Sequence, residues 1–257
     1  MLNRTTLALA LGTIGLAAGN FVHAANTPTH DTSVVIVHGA FADGSDWSKV
    51  IPLLQAKGIK VRAVQNGLNS LADDVASTKR AIDSQTGKVV LVGHSWGGMV
   101  ITEAGQNTKV AGLVYVAAFA PDAGQSAAEV GKDYPPSPGI TKLVADADGY
   151  LSLPPEAMAN DFAQDLPASQ TSVMAATQGP IQSKAFGEKT TVAAWTSKPS
   201  WYVVSEKDRM IQPDLERAMA KKIGAKVISL PTSHVPQQSR PADVAKVIID
   251  AVEASEK

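Results

Sequence analysis

The sequence predicts an α/β domain, with a mostly parallel β-sheet and helices on both faces. Three observations predict it. Six short apolar runs alternate with segments of helical spacing. The first run, Ser-Val-Val-Ile-Val at residues 33–37, is apolar without alternation, as a strand buried on both faces requires. A Gly-rich turn, Gly93-His94-Ser95-Trp96-Gly97-Gly98, joins one such run to a helical segment.

The elements follow in order. After the strand at 33–37, residues 47–57 have helical spacing and stop at Gly58. Residues 60–64 form the next strand. Leu71, Val75, Thr78 and Ile82 recur on one helical face, and Gly87 closes that segment. Residues 89–92 are a third strand, with a helix from Ser95 toward Gln106. A fourth strand covers 110–118. Beyond an interruption, residues 201–204 read as strand, 215–223 as helix and 227–230 as strand. The last helix runs from about 242 to 254.

The interruption spans 121–198. It is rich in Pro, Ala, Ser, Asp and Gln and includes Pro135-Pro136-Ser137-Pro138. It lacks β-branched runs, and its bulky apolar residues are scattered, among them Tyr134, Leu151, Met158, Phe162, Phe186 and Trp195. This pattern predicts a mainly helical cap inserted into a core formed by residues 33–120 and 199–257.

Composition narrows the function. The 257 residues are 44% hydrophobic and 18% charged, enough apolar material for a large core. Lys plus Arg is 23 and Asp plus Glu is 24, so no basic excess exists to hold a nucleic acid. Cysteine is absent, which excludes a thiolate nucleophile, a disulfide scaffold and a Cys-ligated zinc site. The N-terminus reads as a signal peptide. Arg4 supplies a positive start, residues 7–18 are apolar and small, and Val22-His23-Ala24 offers a cleavage site after Ala24. The apolar run falls short of the roughly 20 residues that span a bilayer. Residues 1–24 are thus expected to be removed, leaving a periplasmic or secreted protein with no membrane attachment.

The chemistry gathers at turns that follow strands. The tight strand-to-helix turn forces Ser95 into a strained backbone conformation and lifts its Oγ above the sheet edge. A serine hydroxyl needs a base. Of the five histidines, His23 leaves with the signal, His30 lies in the leading tail and His38 belongs to the loop after the first strand. His94 adjoins the serine and is expected to point into the scaffold. His234 remains, between the last strand and the last helix, where a base can reach Ser95. The base needs an acid to fix its tautomer. Asp208, just after the penultimate strand, is the first choice, and Asp122, after the fourth strand, is the runner-up. A tetrahedral intermediate needs two converging N–H groups. Trp96 supplies one. The loop His38-Gly39-Ala40-Phe41 supplies the other, from Ala40 or alternatively Phe41. The side chains of Phe41 and Trp96 are expected to line the substrate pocket. Asp43, Asp46 and Trp47 stand near its entrance or serve as ordinary loop and helix-start residues.

These motifs, with Tyr202-Val203-Val204-Ser205-Glu206-Lys207-Asp208 and Ser233-His234, resemble the α/β-hydrolase superfamily over nearly all of residues 33–254. The order Ser95, Asp208, His234 is the superfamily's. More narrowly, the chain is similar to the compact branch of plant methylesterases, hydroxynitrile lyases and related bacterial esterases. The resemblance implies ester hydrolysis through an acyl-serine, on a small-molecule ester, with no metal or cofactor. The lyases of this branch typically carry lysine after the catalytic histidine and threonine after the histidine of the first loop. Val235 and Gly39 stand at those positions, which counts against cyanohydrin cleavage. Ser95 disfavours the members with an aspartate nucleophile. A pocket of small or medium apolar or aryl esters is expected. A perhydrolase or haloperoxidase-like activity on the same triad is one alternative, and a non-catalytic ligand receptor another.

Export is checked by mass spectrometry of protein recovered from a Gram-negative periplasm. The expected N-terminus is Ala25. An intact Met1 on membrane-bound protein would identify an anchor instead.

Overall fold

The structure is a computed structural model and describes residues 30–257. The expected signal segment, residues 1–24, lies outside the described residues. In chain order the strands are β1 (Ser33–Val37), β2 (Val61–Val64), β3 (Val89–His94), β4 (Val110–Val116), β5 (Val144–Ala145), β6 (Tyr150–Ser152), β7 (Ile181–Gln182), β8 (Ser200–Ser205) and β9 (Lys226–Leu230). The α-helices are α1 (Ile51–Gln55), α2 (Leu71–Asp83), α3 (Gly97–Ala104), α4 (Ala127–Val130), α5 (Pro155–Ala157), α6 (Ala168–Thr177), α7 (Pro213–Lys222), α8 (Pro236–Ser239) and α9 (Pro241–Ser255). A π-helical turn, Met158–Phe162, continues directly from α5.

Six strands form one sheet in the order β2-β1-β3-β4-β8-β9, and every pairing in it is parallel. This is the mostly parallel, helix-covered sheet of an α/β-hydrolase fold. The unbroken apolar run of β1 follows from burial on both sides. Val35 and Val37 join the core layer of Leu71, Met99 and Phe162, whereas Val34 and Ile36 join the layer of Leu54, Val244 and Ile248. Because β1 lies between β2 and β3, the chain reverses its direction of progress across the sheet at β1. A crevice opens at such a reversal, outside the carboxyl ends of the strands. The loops after β1 and β3 meet there.

Two elements differ from their sequence expectation. The helix expected over 47–57 is a 3₁₀ turn at Gly44–Trp47 followed by the short α1. Pro52 lies in the first turn of α1, where a missing N–H leaves no gap in the helical ladder. The segment between β4 and β8 holds helices α4 to α6, but also an antiparallel sheet of order β5-β6-β7. Those strands are two or three residues long, too short for a period-two pattern to show.

This inserted segment is tied to the loops at the carboxyl edge. Phe41 N–H donates to Gly179 O at 3.0 Å, Gln182 N–H to Leu68 O at 2.9 Å and Gly139 N–H to Arg209 O at 2.9 Å. Leu71 N–H donates to Glu188 Oε2 at 2.7 Å.

Candidate active site

Ser95 follows β3 and has φ of +51°, a left-handed conformation that costs a non-glycine residue about 1–3 kcal/mol. The surrounding backbone holds it there. Ser95 N–H donates to Val116 O at 3.3 Å, and Ser95 O accepts from Gly98 N–H at 3.0 Å and Phe119 N–H at 3.2 Å. The neighbouring glycines permit close approach. A Cβ at Gly97 would stand 2.5 Å from Val37 O, and one at Gly39 would stand 2.8 Å from Ser95 Cβ. Helix α3 begins at Gly97, so its positive N-terminal end faces the space above Ser95.

His234 and Asp208 come to the same edge from the loops after β9 and β8. His234 Nδ1–H donates to Asp208 Oδ2 at 2.5 Å, with both side chains almost fully buried. Asp208 Oδ1 accepts from the N–H groups of Met210 at 2.6 Å and Ile211 at 2.9 Å. This fixes the carboxylate and assigns the Nδ1 proton, which leaves Nε2 of His234 as the acceptor nitrogen. His94 lies in the scaffold, as its position beside Ser95 implies, but it also has a task there. Its Nε2–H donates to His234 O at 2.7 Å and so ties the serine turn to the histidine loop. Burial, and then the proximity of His234, holds the His94 imidazole well below its ordinary value, so it is neutral. Asp122, the alternative acid, instead pairs with Lys222 at 3.1 Å on the surface.

The loop after β1 presents the second candidate oxyanion donor. Phe41 has φ of +61°, and its N–H is already bonded to Gly179 O. Among the described residues, the N–H groups of Ala40 and Trp96 have no backbone or side-chain acceptor. His38 shapes this loop. Its Nε2 accepts from Asn66 N–H at 2.9 Å, so its Nδ1–H donates to Gly39 O at 2.8 Å. Burial lowers its pKa and keeps this ring neutral too.

The pocket expectation for Trp96 needs correction. Its indole is fully buried, donates to Asp74 Oδ2 at 2.9 Å and packs edge-on against Phe186. An indole N–H needs a buried acceptor, and Asp74 draws the ring into the core. Phe41 borders a cavity of about 280 Å³ with Asp46, Lys49 and Met174. A larger cavity of about 460 Å³ is lined by Phe119, Leu151, Phe186, Met210, Ile211 and Leu215, among others. None of Ser95, Asp208 and His234 lines it; the main-chain N–H groups of its lining residues Phe119, Met210 and Ile211 are bonded to Ser95 O and to the Asp208 carboxylate. Trp47 is a core residue, Asp43 caps the 3₁₀ turn, and the buried Asp46 accepts from Gln237 at 2.5 Å and Gln238 at 3.0 Å. Among the described residues, no three His, Asp or Glu side chains converge as a metal site.

The inserted segment, expected as a helical cap, covers the histidine in a way the sequence did not specify. The Phe162 ring stands edge-on to His234 at 5.1 Å and to His94 at 6.3 Å. Beside it, the covered carboxylate of Asp161 pairs with Lys142 and with Arg209, each at 2.7 Å. Asp165 Oδ2 accepts from Ser233 N–H at 2.9 Å, and Gln164 Nε2–H donates to Lys207 O at 2.6 Å. The stretch 161–165 therefore grips the acid loop and the histidine loop together. Burial raises the Asp161 carboxyl, but the Lys142 and Arg209 bonds outweigh it and hold it below the usual carboxylate range.

A family model for the alpha/beta hydrolase family matches residues 34–247. The pyrethroid hydrolase of Sphingobium wenxiniae is 26% identical over 257 residues, covering 87% of this chain and 88% of the relative. The polyneuridine aldehyde esterase of Rauvolfia serpentina is 24% identical over 267 residues, covering 89% of this chain and 98% of the relative. A crystal structure of a pyrethroid hydrolase superposes with a TM-score of 0.74 at 24% identity, covering 88% of this chain and 99% of that one.

Asp161→Asn should loosen this grip. The expected loss is about 1–3 kcal/mol, since the two cations it pairs with keep access to water. Amide exchange should accelerate in residues 158–166 and 207–209. Because the folded carboxyl lies below its unfolded value, its stabilisation is present above the unfolded value and lost as pH falls through the folded one. The difference between variant and parent should therefore shrink in acid. Unchanged exchange in both segments would show that the pairs do not hold the stretch.

Proposed function

The chain belongs to the alpha/beta hydrolase family, and we propose that it cleaves carboxylic esters through an acyl-serine intermediate. One observation carries this reading: the Asp208–His234 pair and the left-handed Ser95 stand at one sheet edge, beside two N–H groups without acceptors. The relatives named as a hydrolase and an esterase support it.

In this reading His234 Nε2 removes the Ser95 proton as Oγ attacks the acyl carbon. Asp208 keeps the imidazole in the tautomer that can accept at Nε2 and stabilises the imidazolium that forms. The N–H groups of Ala40 and Trp96 point at the developing oxyanion, in a site where fixed dipoles need no reorganisation. His234 then protonates the leaving alcohol. Water enters, loses a proton to His234 and attacks the acyl carbon; the bond from that carbon to Ser95 Oγ then breaks, Oγ takes the proton back from His234, and the carboxylic acid leaves.

The substrate class follows from the walls. The cavity of about 460 Å³ is the size of a small-molecule site, and its lining is mainly apolar. Such a pocket discriminates by fit, at about 1–3 kcal/mol per methylene. Small or medium apolar or aryl esters match it better than long-chain triglycerides. Periplasmic or extracellular action is part of the same proposal and rests on the N-terminal residues alone.

A panel of soluble chromogenic esters of graded acyl length should show turnover that peaks at short or medium apolar or aryl groups. Ser95→Ala should abolish it with folding intact. A sharp rise of activity on emulsified long-chain esters would sink the substrate assignment, and undiminished turnover by Ser95→Ala would move the nucleophile elsewhere. Asp208→Asn should lower kcat by about four orders of magnitude, the size expected when the histidine loses its tautomer partner. Asp122→Asn should stay near the parent. A reversal of those two effects would transfer the acid role to Asp122.

A further inference from the structure

A second carboxyl lies behind Asp208 with no task in the steps above. Glu216, on α7, is 0% exposed. Its Oε2 accepts from Ser205 N–H at 3.0 Å. Its Oε1 is buried and has no donor to accept from. The Asp208 carboxylate stands within hydrogen-bond reach of it. The titratable and charged groups that face Glu216 are Asp208 and Glu206 from the loop after β8 and Tyr202 from β8 itself. None is a cation. Arg217, the next residue on the helix, turns outward to Glu206 and Asp214.

Two carboxylates that close, in apolar surroundings, cannot both be ionised. Asp208 already accepts three N–H bonds, from Met210, Ile211 and His234, so it is the acceptor of the pair. We propose that Glu216 is a neutral positioning residue whose Oε1–H donates to the Asp208 carboxylate. This satisfies the orphaned oxygen and completes a chain: Ser205 N–H to Glu216, Glu216 O–H to Asp208, and His234 Nδ1–H to Asp208 from the other side. Burial, and next the charge of Asp208, push the Glu216 carboxyl well above its ordinary range, which agrees with the geometry. The inference rests on Asp208 as the triad acid. A further donor holds the carboxylate with Oδ2 aimed at His234.

The sign of the pH effect follows. A carboxyl whose folded pKa lies above its unfolded value stabilises fully below the unfolded value, and that contribution is lost as pH rises toward the folded value. Glu216 therefore weakens the fold increasingly above the ordinary carboxyl range. Glu216→Gln keeps both bonds, with its amide N–H in place of O–H, and does not titrate.

The test compares Glu216→Gln, Glu216→Leu and the parent by urea denaturation at about pH 5 and about pH 8, by infrared difference spectroscopy and by kinetics. Glu216→Gln should gain stability relative to the parent between the two pH values. It should lose the carbonyl band of a protonated carboxylic acid and keep kcat within a few-fold. Glu216→Leu should lower kcat roughly tenfold with KM unchanged, the effect of removing a hydrogen bond to a charged group. Equal stability differences at both pH values, with no carbonyl band lost, would mean an ionised Glu216 and overturn the proposal. The stability and infrared readings need no turnover, so the two failures separate. If they appear as expected while Asp208→Asn remains fully active, the positioning role falls together with the triad assignment. If Asp208→Asn is inactive and they are absent, the Glu216 proposal alone falls.

Discussion

Helix α3 packs so close to the end of β1 that Gly97 has no room for a β-carbon, since Val37 O would lie 2.5 Å from it. Gly39 faces the same restriction against Ser95 Cβ. These two contacts press the β1 loop, the β3 turn and the start of α3 into one unit. Ser95 is left-handed because no extended or helical path joins β3 to α3 over so short a distance. Trp96 stands at the head of the helix, and its N–H, like that of Ala40, has no acceptor among the described residues. Whatever strain Ser95 carries is offset by the layers on either side of the sheet, where Val90, Leu91 and Val92 are fully covered. The serine and the two N–H groups are set by backbone alone, before any polar side chain is counted.

The polar side chains then hold the loops. Buried carboxyls are costly unless donors satisfy them, and those that surround the site are each used to join two segments. Asp74 binds Leu68 N–H and the Trp96 indole, fixing the residue after the serine. Asp46 binds Gln237 and Gln238, just past His234. Asp161 binds Lys142 and Arg209, and so the stretch 161–165 to the acid loop. Asp46 and Asp74 are both pushed upward, by burial first, and both receive N–H bonds that oppose it. Asp161 has full cations as partners and moves the other way. The direction in each case follows from whether the partner is a dipole or a charge.

The strands and the reactive turns were legible because their signals are local. A β-branched run, a glycine pair and a histidine after the last strand can be read from a few adjacent residues, and the parallel order brings their ends together. The supporting residues were less legible, because each depends on contacts distant in sequence: His94 with His234, Phe162 with both, Asp161 with Arg209. Two of them did leave a trace. Asp74 lies between Leu71 and Thr78 on the buried stripe of α2, and Glu216 lies between Leu215 and Met219 on that of α7. An acid on the apolar face of an amphipathic helix is costly to bury and signals a partner across the interface. The Trp96 expectation failed for a related reason. Adjacency to the serine locates the backbone N–H, while the indole goes where its own donor finds an acceptor.

Closure of the site gives the proposed acyl chemistry its setting. Ser95 is 9% exposed and His234 1%, with Phe162 across the imidazole. Excluding water strengthens the fixed dipoles at the oxyanion position and the Asp208–His234 bond alike. Asp161 is covered while Lys142 and Arg209 are 44% and 47% exposed, so the cations stay hydrated where they are, but releasing them would leave a buried carboxylate unpaired. The rest of the grip is single hydrogen bonds to backbone, as at Ser233 and Lys207. The apolar weight of the segment lies in the core itself, where Met158, Phe162 and Ala163 are fully covered, so packing holds the segment down and the polar pairs set its position over His234.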